Sequence, residues 1–332
     1  PTVDLTHVID TSGAYIPGHG TPTVILFGQR RKPMEATIRT VMGIKGEPST
    51  PENPAEGLVW SAICDQVDVC GSQSDFVSVA DSDRAAFHKH PWSIGGGGAS
   101  ELKEMLETST EKVLDSLIDA IGRTNVVGED DIWIMDVAST QRKQISSRGI
   151  PFCIGECVRD WVITDLPIAL YPYKSMAGEP IDQSEAFILK YLWRFRRILK
   201  GRTVFSRTLE EAGRPWWEHL EHYREKLRIP RSIAFAFVAT HNHFVFDRGG
   251  KVFKQSAPVI KLPADATDDD HLALLGLLNS STACFWMKQV SQIKTQTSGM
   301  DSVSWRLRRE FDGTKLKSLP ITASKPIKLS KQ

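Results

Sequence analysis

The sequence predicts an α/β protein whose second domain is basic. Short β-branched runs alternate with segments of helical period, and 332 residues suffice for two cores. Charge divides sharply along the chain. Residues 1–189 hold 15 Lys and Arg against 27 Asp and Glu, 190–261 hold 16 against 6, and 288–332 hold 10 against 3. Such an asymmetry is the footprint a phosphate-binding surface leaves in a sequence, and it is also what two solvated faces of opposite sign produce.

The first strand is "VDLTHVID" (3–10), and the glycine-rich "GAYIPGHG" (13–20) follows it. A phosphate loop places its glycines after a strand and before a helix, where free N–H groups meet the anion. Here the glycines lead into Thr23-Val24-Ile25-Leu26-Phe27, a β-branched run expected to be a buried strand. Residues 30–57 end in a Pro/Glu/Ser/Gly-rich loop. "GLVWSAICDQV" reads as a short helix, and "DFVSVADSDRAAFHKHP" as a strand with a turn. Four glycines at 95–98 form a hinge before "ASELKEMLETSTEKVLDSLID" (99–119), which has a helical period.

A second unit opens near "IGRTNVVGEDDIWIM" (121–135) and continues through the strand-like "IPFCIGECVRDWVI" and "IALYPYK". Residues 184–200 are predicted to form one basic amphipathic helix. Phe244-Val245-Phe246 and Lys251-Val252-Phe253, joined by Asp247-Arg248-Gly249-Gly250, read as a hairpin. "DDDHLALLGLLNSSTACFWMKQV" reads as an aspartate-capped helix with a buried apolar face.

Hydrophobic content of 41% and charged content of 24% are those of a soluble globular chain. The most apolar stretch, 272–287, is too short and polar to span a bilayer. The cysteines at 64, 70, 153, 157 and 284 lack metal-site spacing and are expected to be reduced thiols in a cytoplasm. His241 and His243 would share one face of a strand, but spacing supplies no third ligand, so no metal is assigned. "HKH" at 88–90 is no stronger. The sequence has no dinucleotide fingerprint and no Gly-x-Ser-x-Gly elbow.

Three stretches are more specific: "DLTHVIDTSGAYIPGHGTPTVILFG", "HPWSIGGGGASELKEMLE" and "FVATHNHFVFDRGGKVFKQSAPVIKLP". They resemble the PglX family of adenine-specific DNA methyltransferases of BREX phage-defence systems. The later segments, including Trp216-Trp217, "LLGLLNSSTACFWMK" and "FDGTKLKSLPI", are similar to type IIG restriction-modification enzymes and the TaqI-like specificity domain. The resemblance implies an α/β remnant of a Rossmann-like methyltransferase sheet over 1–98. An α+β target-recognition domain would follow over 99–332. It further implies that the chain begins after the family's S-adenosylmethionine glycine motif and its catalytic Asn-Pro-Pro-Tyr/Phe. The sole Asn-Pro, Asn53-Pro54, is followed by Ala55 and does not match. The family's cofactor is S-adenosylmethionine, and none is expected to bind this chain alone.

On that reading the partner is double-stranded DNA, with other phage-defence proteins as further candidates and no membrane. The candidate DNA contacts are Arg159, Lys174, Asn242, Arg248, Lys251, Lys254 and Lys294, since arginine suits guanine, asparagine suits adenine and any cation suits phosphate. Tyr15 aligns with the aromatic residue that stacks on the flipped adenine in such enzymes. Two functions stay open. One is the recognition part of a methyltransferase, inactive alone; the other is a DNA-binding or phage-defence interaction module without chemistry.

Overall fold

The computed structural model describes residues 3–19, 22–88, 92–184, 186–294, 307–322 and 326–331. The chain is mixed α/β with several small sheets. It divides into two compact units, Pro1–Glu111 with Phe285–Glu310, and Lys112–Cys284 with Phe311–Gln332. Phe285–Glu310 is thereby grouped with the N-terminal 111 residues.

The first unit is built on a four-stranded sheet. Its strands are β1 (Asp4–Asp10), β2 (Val24–Gln29), β3 (Thr37–Gly43) and β4 (Val77–Asp83), in the order β2-β1-β3-β4. β1 and β3 run parallel, and the two outer pairs are antiparallel. Helix α1 (Leu58–Gln66) packs Val59 and Ile63 against Ile9, Val41, Val77 and Val79. The buried Glu47 carboxylate caps α1, accepting from Leu58 N at 3.1 Å and Val59 N at 2.7 Å. That satisfies two orphan N–H groups and places negative charge at the positive end of the helix.

The run at 23–27 forms a strand as expected, but it is not buried. β2 lies at the sheet edge, and Val24, Leu26 and Phe27 are 43%, 49% and 51% exposed, while Ile25 packs on the core. Only one face of an edge strand meets the core, so an all-apolar run cannot be hidden whole.

The glycines at 95–98 are more constrained than a hinge. A side chain at Gly96 would strike Ser78 Oγ and the Met42 carbonyl, and Gly97 and Gly98 have φ of +66° and +82°. Helix α2 (Ala99–Thr108) then stops well short of 119, and Leu114–Leu117 form a separate 3-10 turn. The β-branched Thr108, Thr110 and Val113 break the propensity that the apolar spacing alone suggests.

In the second unit, Phe244–Asp247, Ser232–Phe235, Val259–Lys261 and Ala120–Gly122 form an antiparallel sheet in that order. A second sheet orders Val252–Phe253, Gly149–Cys153, Ile168–Leu170 and Ile134–Met135. The hairpin expected at 244–253 is therefore not formed, because its two arms belong to different sheets. Gly249 and Gly250, with φ of +112° and +80°, turn the chain out of one sheet and into the other.

The helix expected at 184–200 is two, Ala186–Trp193 and Arg196–Gly201, and that at 268–290 is also two, Asp268–Leu278 and Ser281–Val290. Asn279 sits at the second break and exchanges hydrogen bonds with Phe244, accepting from its N–H and donating to its carbonyl. The capping box at Thr267 and Asp270 starts the helix where the aspartates predict. Trp133, Tyr171, Tyr173, Ile188, Leu192, Trp216 and Trp217 share the core of this unit.

Candidate nucleic-acid interface

Much of the positive charge in the second unit holds the fold together. Arg202 is buried, and its guanidinium donates to the carbonyls of Leu199, Val127, Trp216 and Glu218 at 2.8–3.0 Å. Burial pushes its pKa down to about 10. Lys261 is also buried and donates to the carbonyls of Ile229 and Arg231; its pKa falls to about 8. The charge that a partner can meet is smaller than composition suggests.

The cations singled out from sequence all have partners inside the chain. Arg159 donates to the carbonyls of Gly155 and Val158. Lys174 pairs with Asp182 at 2.8 Å, Arg248 with Asp268 at 3.0 Å and Lys294 with Glu310 at 2.6 Å. Lys251 pairs with Asp247 and Lys254 with Asp130. Asn242 is buried, and its amide donates to the carbonyls of Leu278 and Ser280. Of the seven, Lys174, Arg248 and Lys294 keep side chains at least half exposed, and surface pairs of this kind hold their cations weakly.

Sequence reading missed a different set. Between 187 and 207, Lys190, Arg194, Arg197 and Arg207 are exposed, and their side chains have no ion pair or hydrogen bond among the described residues. Phe187 and Trp193 are 41% and 56% exposed in the same stretch, and the Arg196 guanidinium lies 4.7 Å above the Trp193 ring. The hairpin Thr203–Val204 with Arg207–Thr208 follows directly, tied to the preceding helix by Lys200–Glu210 at 3.0 Å. Its tip is Phe205-Ser206, both left-handed, and Phe205 is 94% exposed. An open concavity of about 460 Å³ beside it is lined by Val204, Arg207, Thr208 and Arg214 among others. Unpaired cations interleaved with exposed aromatic rings can meet phosphates and bases together. The basic helix at 184–200 is the signal that could have found them.

A second two-residue hairpin, Val158–Arg159 with Val162–Ile163, carries Asp160 and Trp161 at its tip, again left-handed. Asp160 Oδ1 lies 3.3 Å from His243 Nδ1 and 3.7 Å from His241 Nε2. Spacing gave the two histidines no third partner, and the fold supplies one. Burial lowers the pKa of His243 to about 4. Of "HKH", His88 is exposed, and Lys89 and His90 lie outside the described residues.

Tyr15 is half-buried in the loop between β1 and β2. That loop is docked through Gly13, whose carbonyl accepts from Glu47 N at 2.9 Å and whose missing side chain would meet Lys45 O at 3.1 Å. Gly13 packs against the backbone of 45–46 and Gly96 against Ser78 and Met42, whereas Gly18 and Gly98 have open space beside them. Among the described residues no helix is long and apolar enough to cross a membrane.

No family model matches the chain. It is 43% identical over 339 residues to the adenine-specific methyltransferase PglX of Streptomyces coelicolor, an alignment covering 98% of this chain. The chain spans 28% of that protein's length. The resemblance read from the sequence is thus borne out as a similarity. In fold the chain is similar to the type IIL restriction-modification enzyme MmeI, solved in complex with DNA. The TM-score is 0.52 at 11% identity, over 99% of this chain and 36% of that one. The type IIG endonuclease BpuSI aligns at a TM-score of 0.41 with 11% identity, over 99% of this chain and 39% of that one, a likeness too distant to reason from.

Proposed function

We propose that this chain is the DNA target-recognition part of an S-adenosylmethionine-dependent, adenine-specific DNA methyltransferase of a phage-defence or restriction-modification system. Residues 1–98 would supply the end of the catalytic fold and one wall of the pocket for the extruded base. Residues 99–332 would hold the duplex. The observation that carries the reading is the 187–207 segment, where the side chains of Lys190, Arg194, Arg197 and Arg207 lack partners among the described residues and lie beside exposed Trp193 and Phe205. Such guanidinium groups neutralise phosphates at little cost, because no ion pair among the described residues has to be broken first.

Similarity to PglX supports DNA adenine methylation as the activity of the whole protein. The likeness to a restriction-modification fold solved on DNA supports duplex DNA as the ligand. Lys174, Arg248 and Lys294 are secondary phosphate contacts, reached by exchanging a surface carboxylate for a phosphate. Arg159, Asn242, Lys251 and Lys254 would act through the loops they brace. Following the resemblance, S-adenosylmethionine would be held by the family's glycine motif, which this sequence does not contain.

Fluorescence anisotropy on a labelled duplex tests the reading. The chain should bind at low salt and release as salt rises, without transferring a methyl group from S-adenosylmethionine. A chain that ignores duplex DNA at 50 mM salt would overturn it.

A further inference from the structure

We propose that Asp160, His241 and His243 form a binding site for a divalent transition-metal ion of the zinc class. The site is independent of the DNA reading. Among the described residues, these three side chains bring one ligand atom each within 4.8 Å of one another. Two edges of the triangle are 3.3 Å and 3.7 Å. Zinc bonds of roughly 2.0–2.2 Å arranged tetrahedrally keep ligand atoms about 3.3–3.5 Å apart. The observed edges match that spacing, and the third closes by rotation of the His241 ring, whose side chain is 48% exposed.

The surroundings orient the ligands. His241 Nδ1 lies 3.0 Å from Thr240 Oγ1. With Nδ1–H donating to that hydroxyl, the Nε2 lone pair is left facing Asp160, the arrangement in which an outer hydrogen bond fixes a metal-binding tautomer. The Asp160 backbone N–H donates to His243 Nδ1 at 3.2 Å, so the lone pair of that nitrogen already points at the hairpin tip. The same nitrogen lies 3.3 Å from the Asp160 carboxylate. A cation bound there takes the Nδ1 lone pair in place of the N–H contact and is ligated by the carboxylate as well.

Asp160 and Trp161 have φ of +41° and +75°, as the turn of a two-residue hairpin requires, and that turn presents the Asp160 carboxylate to the two histidines. Two imidazoles and one carboxylate suit zinc, cobalt or nickel better than calcium or magnesium. Asp160 and His241 are exposed, which leaves an open position for water. The ion would clip the 158–163 hairpin to the 240–243 segment.

Zinc titration of the chelator-treated full chain by calorimetry, with cobalt(II) absorption as a spectroscopic readout, tests the site. We expect one equivalent to bind, with a cobalt spectrum lacking a thiolate charge-transfer band, which sets the site apart from the five cysteines. Asp160→Asn and His241→Ala alter exposed side chains, and each should weaken binding tenfold or more while leaving the metal-free melting temperature in place. Absence of stoichiometric binding would overturn the assignment. So would binding that both variants leave unchanged, or a thiolate band that accounts for all of it.

Discussion

Arg202 Nη2 stands 2.8 Å from the carbonyl oxygen of Trp216 and equally close to that of Glu218. The same guanidinium reaches Leu199 and Val127, and its Cζ lies 5.6 Å from the centroid of the Trp133 ring. One buried cation thereby joins the end of the 196–201 helix to the Trp216-Trp217 segment. An ammonium cannot reproduce that fork. Arg202→Lys should destabilise the chain by about 3 kcal/mol, since hydrogen bonds to a charged group contribute about 1.5–3 kcal/mol each and at least one carbonyl loses its donor. Urea unfolding measures it, and an unchanged midpoint would remove Arg202 from that role.

His219 and His222 set a pH dependence. Burial lowers their pKa values to about 3 and about 4, against about 6.5 in an unfolded chain. The unfolded state then binds more protons than the folded one between those limits, so stability rises with pH there. It is complete above pH 6.5 and is lost as pH falls toward 4, with a slope of up to about 1.4 kcal/mol per pH unit for each ring. His219→Gln and His222→Gln together should flatten that slope, read from unfolding midpoints at pH 7, 6 and 5. An equally steep decline in the double variant would place the acid sensitivity elsewhere.

Much of the fold was legible in the sequence, and the departures have physical causes. β1, β4, α1 and the Thr267-capped helix lie where period and caps put them, because local signals suffice there. The edge position of β2 depends on strand order, which no local pattern encodes. The 244–253 segment contains good turn glycines, but whether its arms pair is decided by strands distant in sequence. Candidate DNA contacts chosen by residue type ran into the same limit. Arg248 and Lys251 look free in sequence, and Asp268 and Asp247 claim them in space.

Phe205 offers a stacking contact separable from charge. At 94% exposure it contributes nothing to the core, so Phe205→Ala should leave the melting temperature unchanged. On a duplex an exposed phenylalanine gains such a contact by wedging into a base step, where stacking on the uncovered base is worth about 1–3 kcal/mol before the unstacking cost. The variant should therefore bind duplex DNA about tenfold more weakly with an unaltered salt slope. Wild-type affinity in competition binding would take the ring out of the interface.

Tyr15 tests the first unit. On the proposed function, Tyr15→Ala in the full-length protein should lower DNA adenine methylation tenfold or more, about 1.4 kcal/mol, by removing the proposed stacking on the extruded adenine. Tyr15→Phe should keep most activity, because stacking needs the ring and not the hydroxyl. An alanine variant that folds normally and methylates at the parental rate would leave Tyr15 a loop-packing residue.

The 187–207 segment is proposed to grip the phosphate backbone. Anisotropy of the chain on duplex DNA from 50 to 200 mM salt, compared with Arg194→Ala/Arg197→Ala/Arg207→Ala, addresses it most directly. Each lost phosphate contact reduces the slope of log affinity against log salt by about 0.9, so the triple variant should flatten it by roughly 2–3. Arg248→Ala/Lys251→Ala should change it by less than 1, because both cations already serve internal carboxylates. A triple variant with the parental affinity and slope would contradict the account.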